Sequence, residues 1–98
     1  MANSTVRTTI RVKGIPIRAV LNTEANVSIV TLPTVKKLRL TMKMPDGSKI
    51  IVVDQTKKSV IGIVRDASLS IQDARVPVNL LVIDTSEDNL LLGTDWMN

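Results

Sequence analysis

The sequence predicts a small, mainly β domain, either a sandwich or a closed barrel, on three observations. Apolar and polar residues alternate along short runs such as TVRTTIRV at 5–12, and a period of two is typical of half-buried strands. Short polar stretches with turn residues, such as KG at 13–14 and PDG at 45–47, separate these runs. Of the 98 residues 44% are hydrophobic, yet Trp96 is the single aromatic residue. We therefore expect a core of Val, Ile, Leu and Met, and the excess of β-branched side chains favours strands.

The first half of the chain predicts a hairpin and a short helix. Residues 5–12 and 15–21 form two strands around the KG turn. The polar stretch NTEAN at 22–26 predicts a loop, and β character resumes at 27–31. LPTVKKL at 32–38 predicts a short helical turn, because proline is tolerated near the start of a helix.

The second half predicts mostly strands. These lie at 39–44, 48–54, 59–66, 67–73, 76–83 and 90–93. The runs at 48–54 and 59–66 form a hairpin with a charged tip, QTKK, at 55–58, and TDWMN at 94–98 predicts the start of a C-terminal helix. The length fits one domain that spans residues 1–98.

Composition excludes several kinds of chemistry. The chain has neither Cys nor His, so disulfides, thiolate or imidazole metal sites and histidine bases are ruled out, and we expect no cofactor and no metal. The net charge is +4, but without aromatic platforms for base stacking a nucleic-acid-binding barrel ranks lowest among the hypotheses. No apolar run approaches the ~20 residues of a membrane span, so we expect a soluble, intracellular (cytoplasmic) protein.

Two segments carry a resemblance to a known family. The first is IRAVL-NTEA-NVSIV at 17–30, and the second, roughly 70 residues later, is NLLLGTDWM at 89–97. Together they resemble the retropepsins, the aspartic proteases of retroviruses and gypsy-type retrotransposons, over about residues 5–97. In that family the first segment consists of an apolar strand, the motif Asp-Thr/Ser-Gly-Ala, and a second strand. The resemblance implies a retropepsin-like closed β-barrel half-lobe with a flap hairpin and one short C-terminal helix.

The resemblance places Asn22 at the position of the catalytic Asp, followed by Thr23, Glu24 and Ala25. In the family two chains each supply one Asp, and the two carboxylates share a proton across a twofold axis. The Thr hydrogen-bonds across the dimer, and the Gly leaves room for the substrate backbone. An Asn amide cannot accept a proton near neutral pH, and Glu24 fills the Gly position. This copy is therefore predicted to be inactive.

Glu24 is not expected to replace the missing carboxylate. Its side chain starts two residues later and approaches from a different direction, and small misplacements of a catalytic group are costly. Two ionised Glu24 side chains near a dimer axis would instead repel each other. The sequence leaves two origins of these changes open, natural decay and engineering; an engineered Asp-to-Asn change would explain position 22 but not Glu24.

The resemblance also assigns the flap and the substrate pocket. The flap tip falls at Gln55, Thr56, Lys57 and Lys58, without the glycines that family flaps usually have, so a plain exposed hairpin is an equal alternative. The pocket walls fall at Ile29, Val30, Val53 and Ile61.

Two acidic residues elsewhere imitate catalytic groups. Asp84-Thr85-Ser86 copies the motif superficially, as if a second catalytic loop lay in the same chain. In two-lobed pepsin-like enzymes, however, each lobe is about as long as this whole chain, so we expect a surface loop at 84–89. Asp95 is expected to cap the terminal helix or to pair with a nearby cation.

Two functions from different classes follow from the resemblance. The first is an aspartic endopeptidase domain, a hydrolase that processes a retroelement polyprotein, present here as an inactive mutant or pseudoenzyme. The second is a non-catalytic module that binds extended peptides by strand addition or dimerises. Both imply a C2 homodimer and an extended polypeptide as substrate or ligand. Because the sequence stops at Asn98, the interface strand that ends family members looks short or missing, which puts the usual dimer sheet in doubt.

Overall fold

A computed structural model describes residues 5–22, 27–44, 47, 49–53, 56–71, 73–85 and 90–93. Within these residues the chain forms seven strands and one helix. In chain order they are β1 (Thr5–Val12), β2 (Ile15–Asn22), β3 (Ser28–Thr31), α1 (Leu32–Leu38), β4 (Lys49–Val53), β5 (Thr56–Ile71), β6 (Ala74–Ile83) and β7 (Leu90–Leu92). The predicted mainly β class is confirmed.

The β1–β2 hairpin lies where the sequence predicts it. The two strands pair antiparallel over their full length. Lys13 and Gly14, the two residues between them, have φ angles of 53° and 78°, and a two-residue type I′ turn requires positive φ at both positions. Glycine reaches such angles without steric cost, which explains its place in this turn.

The helix α1 follows β3 directly and begins with Leu32 and Pro33, so the predicted helical turn is present. Its buried side chains include Val35 and Leu38. The helix ends at Arg39, whose φ of 53° is left-handed, a common way to terminate a helix. The ammonium group of Lys13 donates a hydrogen bond of 2.8 Å to the carbonyl of Arg39, which ties the hairpin turn to the end of the helix.

The strand β5 is a single strand of 16 residues where the sequence predicts two, at 59–66 and 67–73. The predicted break is wrong because the strand bends at irregularities in its pairing with β6 and does not end there. One irregularity surrounds Asp66, which has a φ of 53°. The backbone N–H of Asp66 donates a hydrogen bond to Oδ1 of Asn79 at 2.9 Å. This side chain replaces the backbone acceptor that regular pairing between β5 and β6 would supply.

The strand predicted at 39–44 is reduced to one bridge. Lys43 and Ile63 exchange two backbone hydrogen bonds of 2.8 Å. Three segments share this edge of β5, since β4 pairs with its first five residues, Lys43 with Ile63, and β1 with two residues near its end. Ile63 lies between the two irregularities of β5, at Val60/Gly62 and Val64/Ala67, which disrupt the regular ladder that a longer strand would need.

Pairing between β1 and β5 closes the sheet. The strand order is β1-β2-β7-β3-β6-β5-β4, and Arg11 and Val12 of β1 also pair with Ser70 and Leu69 of β5. Six strands therefore form a closed barrel, and β4 is attached outside it on β5. The sequence left a sandwich and a barrel open, and the structure decides for the barrel.

The barrel encloses an aliphatic core, as the composition predicts. Its cluster of buried side chains consists of Ile10, Val12, Ile17, Ala19, Val30, Val35, Leu38, Val64, Ala67, Leu69, Val78, Leu80, Val82, Leu90 and Leu92. All six strands of the barrel contribute to this cluster, and the helix adds Val35 and Leu38. In the described part of the chain, no helix has the length and apolar character needed to cross a membrane. The predicted C-terminal helix falls on 94–98, outside the described residues.

We predict that Gly62→Ala destabilises the protein by about 1–3 kcal/mol, the usual cost of overpacking. A Cβ atom at position 62 would overlap Cγ and Sδ of Met42 and approach the carbonyl oxygen of Lys43 to 3.2 Å. Urea unfolding of the single variants and of the Gly62→Ala/Met42→Ala double variant measures the effect. In the double variant we expect Gly62→Ala to cost clearly less, since the overlapping atoms are gone.

The matched control is Ser59→Ala, an exposed position on the same strand, where we expect a change within about 0.5 kcal/mol. An equal cost of Gly62→Ala in the presence and absence of the Met42 side chain would show that this contact is not the cause.

Candidate functional site

The two strand ends that carry the predicted catalytic motif lie on either side of β7. The strand β2 ends at Asn22, and β3 begins at Ser28. β7 is inserted between them, parallel to β2 and antiparallel to β3. The segments 17–30 and 89–97, roughly 70 residues apart in the chain, thus meet in adjacent strands.

A buried hydrogen bond fastens β3 to the end of β7. The backbone N–H of Gly93 donates to Oγ of Ser28 at 3.2 Å, and Ser28 is fully buried. A buried polar group without a partner is costly, so this bond holds the carboxyl end of β7 beside the start of β3. Sequence analysis missed the role of Ser28; a small hydroxyl residue at the start of an apolar run was the available signal.

Of the four predicted motif positions, the structure describes the backbone of Asn22. Asn22 is the last residue of β2 and pairs with Thr5 of β1. Thr23, Glu24 and Ala25 lie outside the described residues, so the roles assigned to them stay predictions. The expected catalytic position therefore lies at the end of β2, whose neighbours in the sheet are β1 and β7.

An apolar row crosses four strands on the side of the sheet that faces away from the core cluster. It consists of Ile63, Leu81, Ile29 and Leu91, each directly opposite the next. Directly opposed residues share one face of a sheet. Ile29 is 5% exposed, the other three are half-buried, and none belongs to the core cluster. Leu91 in turn lies directly opposite half-buried Val20, so this apolar face continues onto β2, the strand that carries Asn22.

The predicted pocket residues separate into different environments. Ile29 belongs to the apolar row, whereas its neighbour Val30 points to the opposite face and is fully buried in the core cluster. Ile61 is half-buried and packs against the core cluster, and the side chain of Val53 is outside the described residues. Sequence analysis did not include Leu91 among the pocket residues. Because side chains alternate along a strand, its position between Leu90 and Leu92 of the core cluster places it on the face that carries Ile29. The pocket assignments stay predictions.

The predicted flap coincides with a hairpin that projects from the barrel. β4 pairs with the first five residues of β5, and Val53 opposite Thr56 is the outermost pair. β6 pairs with β5 only from Val60 onward. The first residues of β5 and their β4 partners therefore form a two-stranded extension. Thr56, Lys57 and Lys58, predicted at the tip, lie within β5, because pairing continues up to Val53. Gln55 is outside the described residues.

The second acidic motif begins in irregular structure. Asp84 follows β6 directly, is exposed, and lies with Thr85 in a segment without strand or helix. Both residues line a depression beside the start of α1, together with Leu32, Pro33 and Lys36. Ser86 and Asp95 fall outside the described residues. In the described part of the chain, no three acidic, His or Cys residues group together as metal ligands.

Comparison with protein families gives the decisive match. Residues 8–98 match the family described as "gag-polyprotein putative aspartyl protease". The chain belongs to this family. The resemblance found in the two motif segments is thereby confirmed, and it extends over the strands and the helix of this aspartyl protease domain.

The fold of the aspartyl protease domain is also found in a solved structure. The crystal structure of the retroviral protease-like domain of Ddi1 from Leishmania major superimposes with a TM-score of 0.71 at 14% sequence identity, covering 96% of this chain and 75% of that chain. At this identity the likeness establishes the fold, so the predicted retropepsin-like barrel is confirmed. A comparison with curated protein sequences gives no match.

We predict that Ser28→Ala destabilises the aspartyl protease domain by about 1–3 kcal/mol, because it leaves the buried N–H of Gly93 without this acceptor. Urea unfolding followed by circular dichroism measures the change. The matched control is Ser68→Ala, an exposed serine on β5, for which we expect less than about 0.5 kcal/mol. Equal effects of the two substitutions would contradict a structural role for the hydrogen bond.

Proposed function

We propose that this domain is the aspartic endopeptidase module of a retroelement polyprotein, and that the present form is catalytically inactive. Membership of the aspartyl protease family supports the first part. The second rests on one observation: Asn22 occupies the end of β2, the position at which the Asp-Thr-Gly-Ala motif has its Asp. The strand, its neighbours and the anchoring of β7 are in place, and the residue that should exchange protons is an amide.

The chemistry of the family explains why this one replacement matters. One carboxylate acts as general base on water while its partner, holding the shared proton, acts as acid. A carboxamide has nearly the size of a carboxylate and can occupy similar hydrogen bonds. Near neutral pH, however, it cannot accept a proton. Replacing Asp by Asn therefore spares the scaffold and removes the proton acceptor. Glu24 adds a charged side chain where the motif has glycine.

The module would bind an extended polypeptide between two chains. One chain supplies one copy of the motif, so a complete cleft requires a C2 homodimer in which identical surfaces meet. The apolar row next to β2 supplies a wall for aliphatic side chains, and the projecting hairpin offers a cover. Strand-like main-chain hydrogen bonds would hold the peptide, as in other cases of β-strand addition.

Restoring the motif tests the proposal. We expect Asn22→Asp/Glu24→Gly to gain pepstatin-sensitive cleavage of an unfolded protein such as reduced casein. The rate should exceed that of the unmodified chain by about 10²–10⁴-fold, the usual contribution of general acid–base catalysis. The assay is run from acidic to neutral pH, with fragments identified by mass spectrometry.

The matched control is Asn79→Asp/Glu87→Gly, which makes the same chemical changes outside the motif and should not cut. Cleavage by the unmodified chain would contradict the proposed inactivity. A restored chain that dimerises and binds peptides without cutting them would favour the non-catalytic binding module.

Dimerisation is tested separately through Glu24. Two ionised Glu24 carboxylates near the twofold axis repel each other, so Glu24→Gln should tighten the dimer at neutral pH by roughly fivefold, as expected for ~1 kcal/mol of repulsion across water. Acidification protonates the carboxylates and should tighten the dimer of the unmodified chain, but should have less effect on Glu24→Gln. Sedimentation equilibrium measures both.

Glu87→Gln removes the other glutamate of the chain and should leave the dissociation constant unchanged. A chain that stays monomeric at every concentration and pH would refute the homodimer.

A further inference from the structure

A second concave surface lies at the other end of β2 from Asn22. It has a volume of about 510 Å³, and its walls come from the β1–β2 turn, the segment after α1, and β5. We call it the turn groove and define it by Lys13, Thr41, Arg65, Asp66, Ser68 and Arg75, which line it. The seven residue steps from Ile15 to Asn22 place it ~23 Å along the strand from the motif.

Basic side chains dominate the rim of the turn groove. Lys13, Arg65 and Arg75 are exposed, and Asp66 is the one carboxylate that faces them among the lining residues. Within the described part of the chain, neither Arg65 nor Arg75 forms an ion pair. The groove therefore presents two guanidinium groups free to take a ligand.

The sheet register places a third guanidinium group, that of Arg11, beside the turn groove. Ser70 of β5 lies directly opposite Arg11 of β1 on one side and Arg75 of β6 on the other. Directly opposed residues share one face, so the two arginines flank a hydroxyl at roughly 10 Å from each other, two inter-strand spacings. The guanidinium of Arg11 also donates to the carbonyl of Gly14 at 3.3 Å, which directs it toward the groove.

The floor of the turn groove is apolar. Val12, Val64 and Ala67 belong to the core cluster and also line the groove, and Leu40 beside them is half-buried. Because Val12, Val64 and Ala67 are almost fully buried, a ligand that fills the groove would meet the aliphatic surface of Leu40 and positive charge at the rim. A chain in which acidic and aliphatic side chains alternate matches both features.

We propose that the turn groove is a docking site for an extended acidic peptide segment of a partner protein. Its carboxylates pair with Arg65 and Arg75, since the planar guanidinium fork matches a carboxylate with two parallel hydrogen bonds. An aliphatic side chain of the peptide rests on Leu40, and Asp66 accepts a hydrogen bond from a peptide N–H. This site is independent of the proposed proteolytic function, because it shares no residue with the motif or with the apolar row.

The same observations disfavour a nucleic acid in the turn groove. No aromatic side chain is available for base stacking, since Trp96 is the single aromatic residue of the sequence and single-stranded binding sites depend on such platforms. A phosphodiester backbone also lacks N–H donors, from which the carboxylate of Asp66 could accept a hydrogen bond.

The test is a titration followed by ¹H–¹⁵N NMR with a short peptide of alternating Glu and Val. We expect the amide signals of Gly14, Thr41 and Ser68 to shift, and those at Asn22 and Gly93 to stay. Arg65→Gln/Arg75→Gln should weaken binding by at least about tenfold, the effect of losing charge-assisted hydrogen bonds. The peptide with Gln in place of Glu should bind at least about tenfold more weakly to the unmodified chain.

The matched control is Arg7→Gln/Arg18→Gln, which removes two exposed arginines of the β1–β2 hairpin that do not line the groove, and it should change affinity by less than about twofold. Equal losses in the two double variants would show attraction by net charge alone and would overturn the proposal. So would an oligothymidylate of equal charge that shifts the same amides and binds more tightly than the peptide. Thermal unfolding of each variant verifies that the fold is intact.

Discussion

The architecture of this domain depends on one long-range pairing, the insertion of β7 between β2 and β3. Three residues of β7 pair with β2 and two of them also pair with β3, and the hydrogen bond from Gly93 to Ser28 supports this register. Without β7 the barrel would have a gap beside the end of β2. The same pairing brings Asn22 next to the strand that ends in Leu-Gly, so barrel closure and the geometry of the candidate site have one cause.

The apolar row and the turn groove lie at different positions along β2, and they differ in chemistry. The apolar row reaches β2 through the pairing of Leu91 with Val20, two residues before Asn22. The turn groove surrounds Lys13 and Gly14 and is rimmed by guanidinium groups. A small barrel can separate such surfaces because its strands keep their two ends far apart.

The candidate site was predictable where a local pattern carried it. The alternation before Lys13 and after Gly14 predicted the hairpin, and the NTEA and LLLG segments identified the family and the position of Asn22. The patterns did not reveal that Leu91 and Leu81 continue the face of Ile29, because this depends on which strands become neighbours. The same reason explains why Val30, one residue from Ile29, lies in the core. The period of two places neighbouring side chains on opposite faces of the sheet, but only the strand pairing decides which face is inside the barrel.

The sequence by itself determined the β class, the aliphatic core and the amide side chain at position 22, since composition, alternation and residue identity are local properties. Only the tertiary structure decided that β5 runs unbroken past Asp66, that residues 39–44 contribute a single bridge, and that Arg11, Ser70 and Arg75 stand in one row. These features arise from pairings between distant segments, whose register is set by the closed barrel as a whole. No window of the sequence contains both partners.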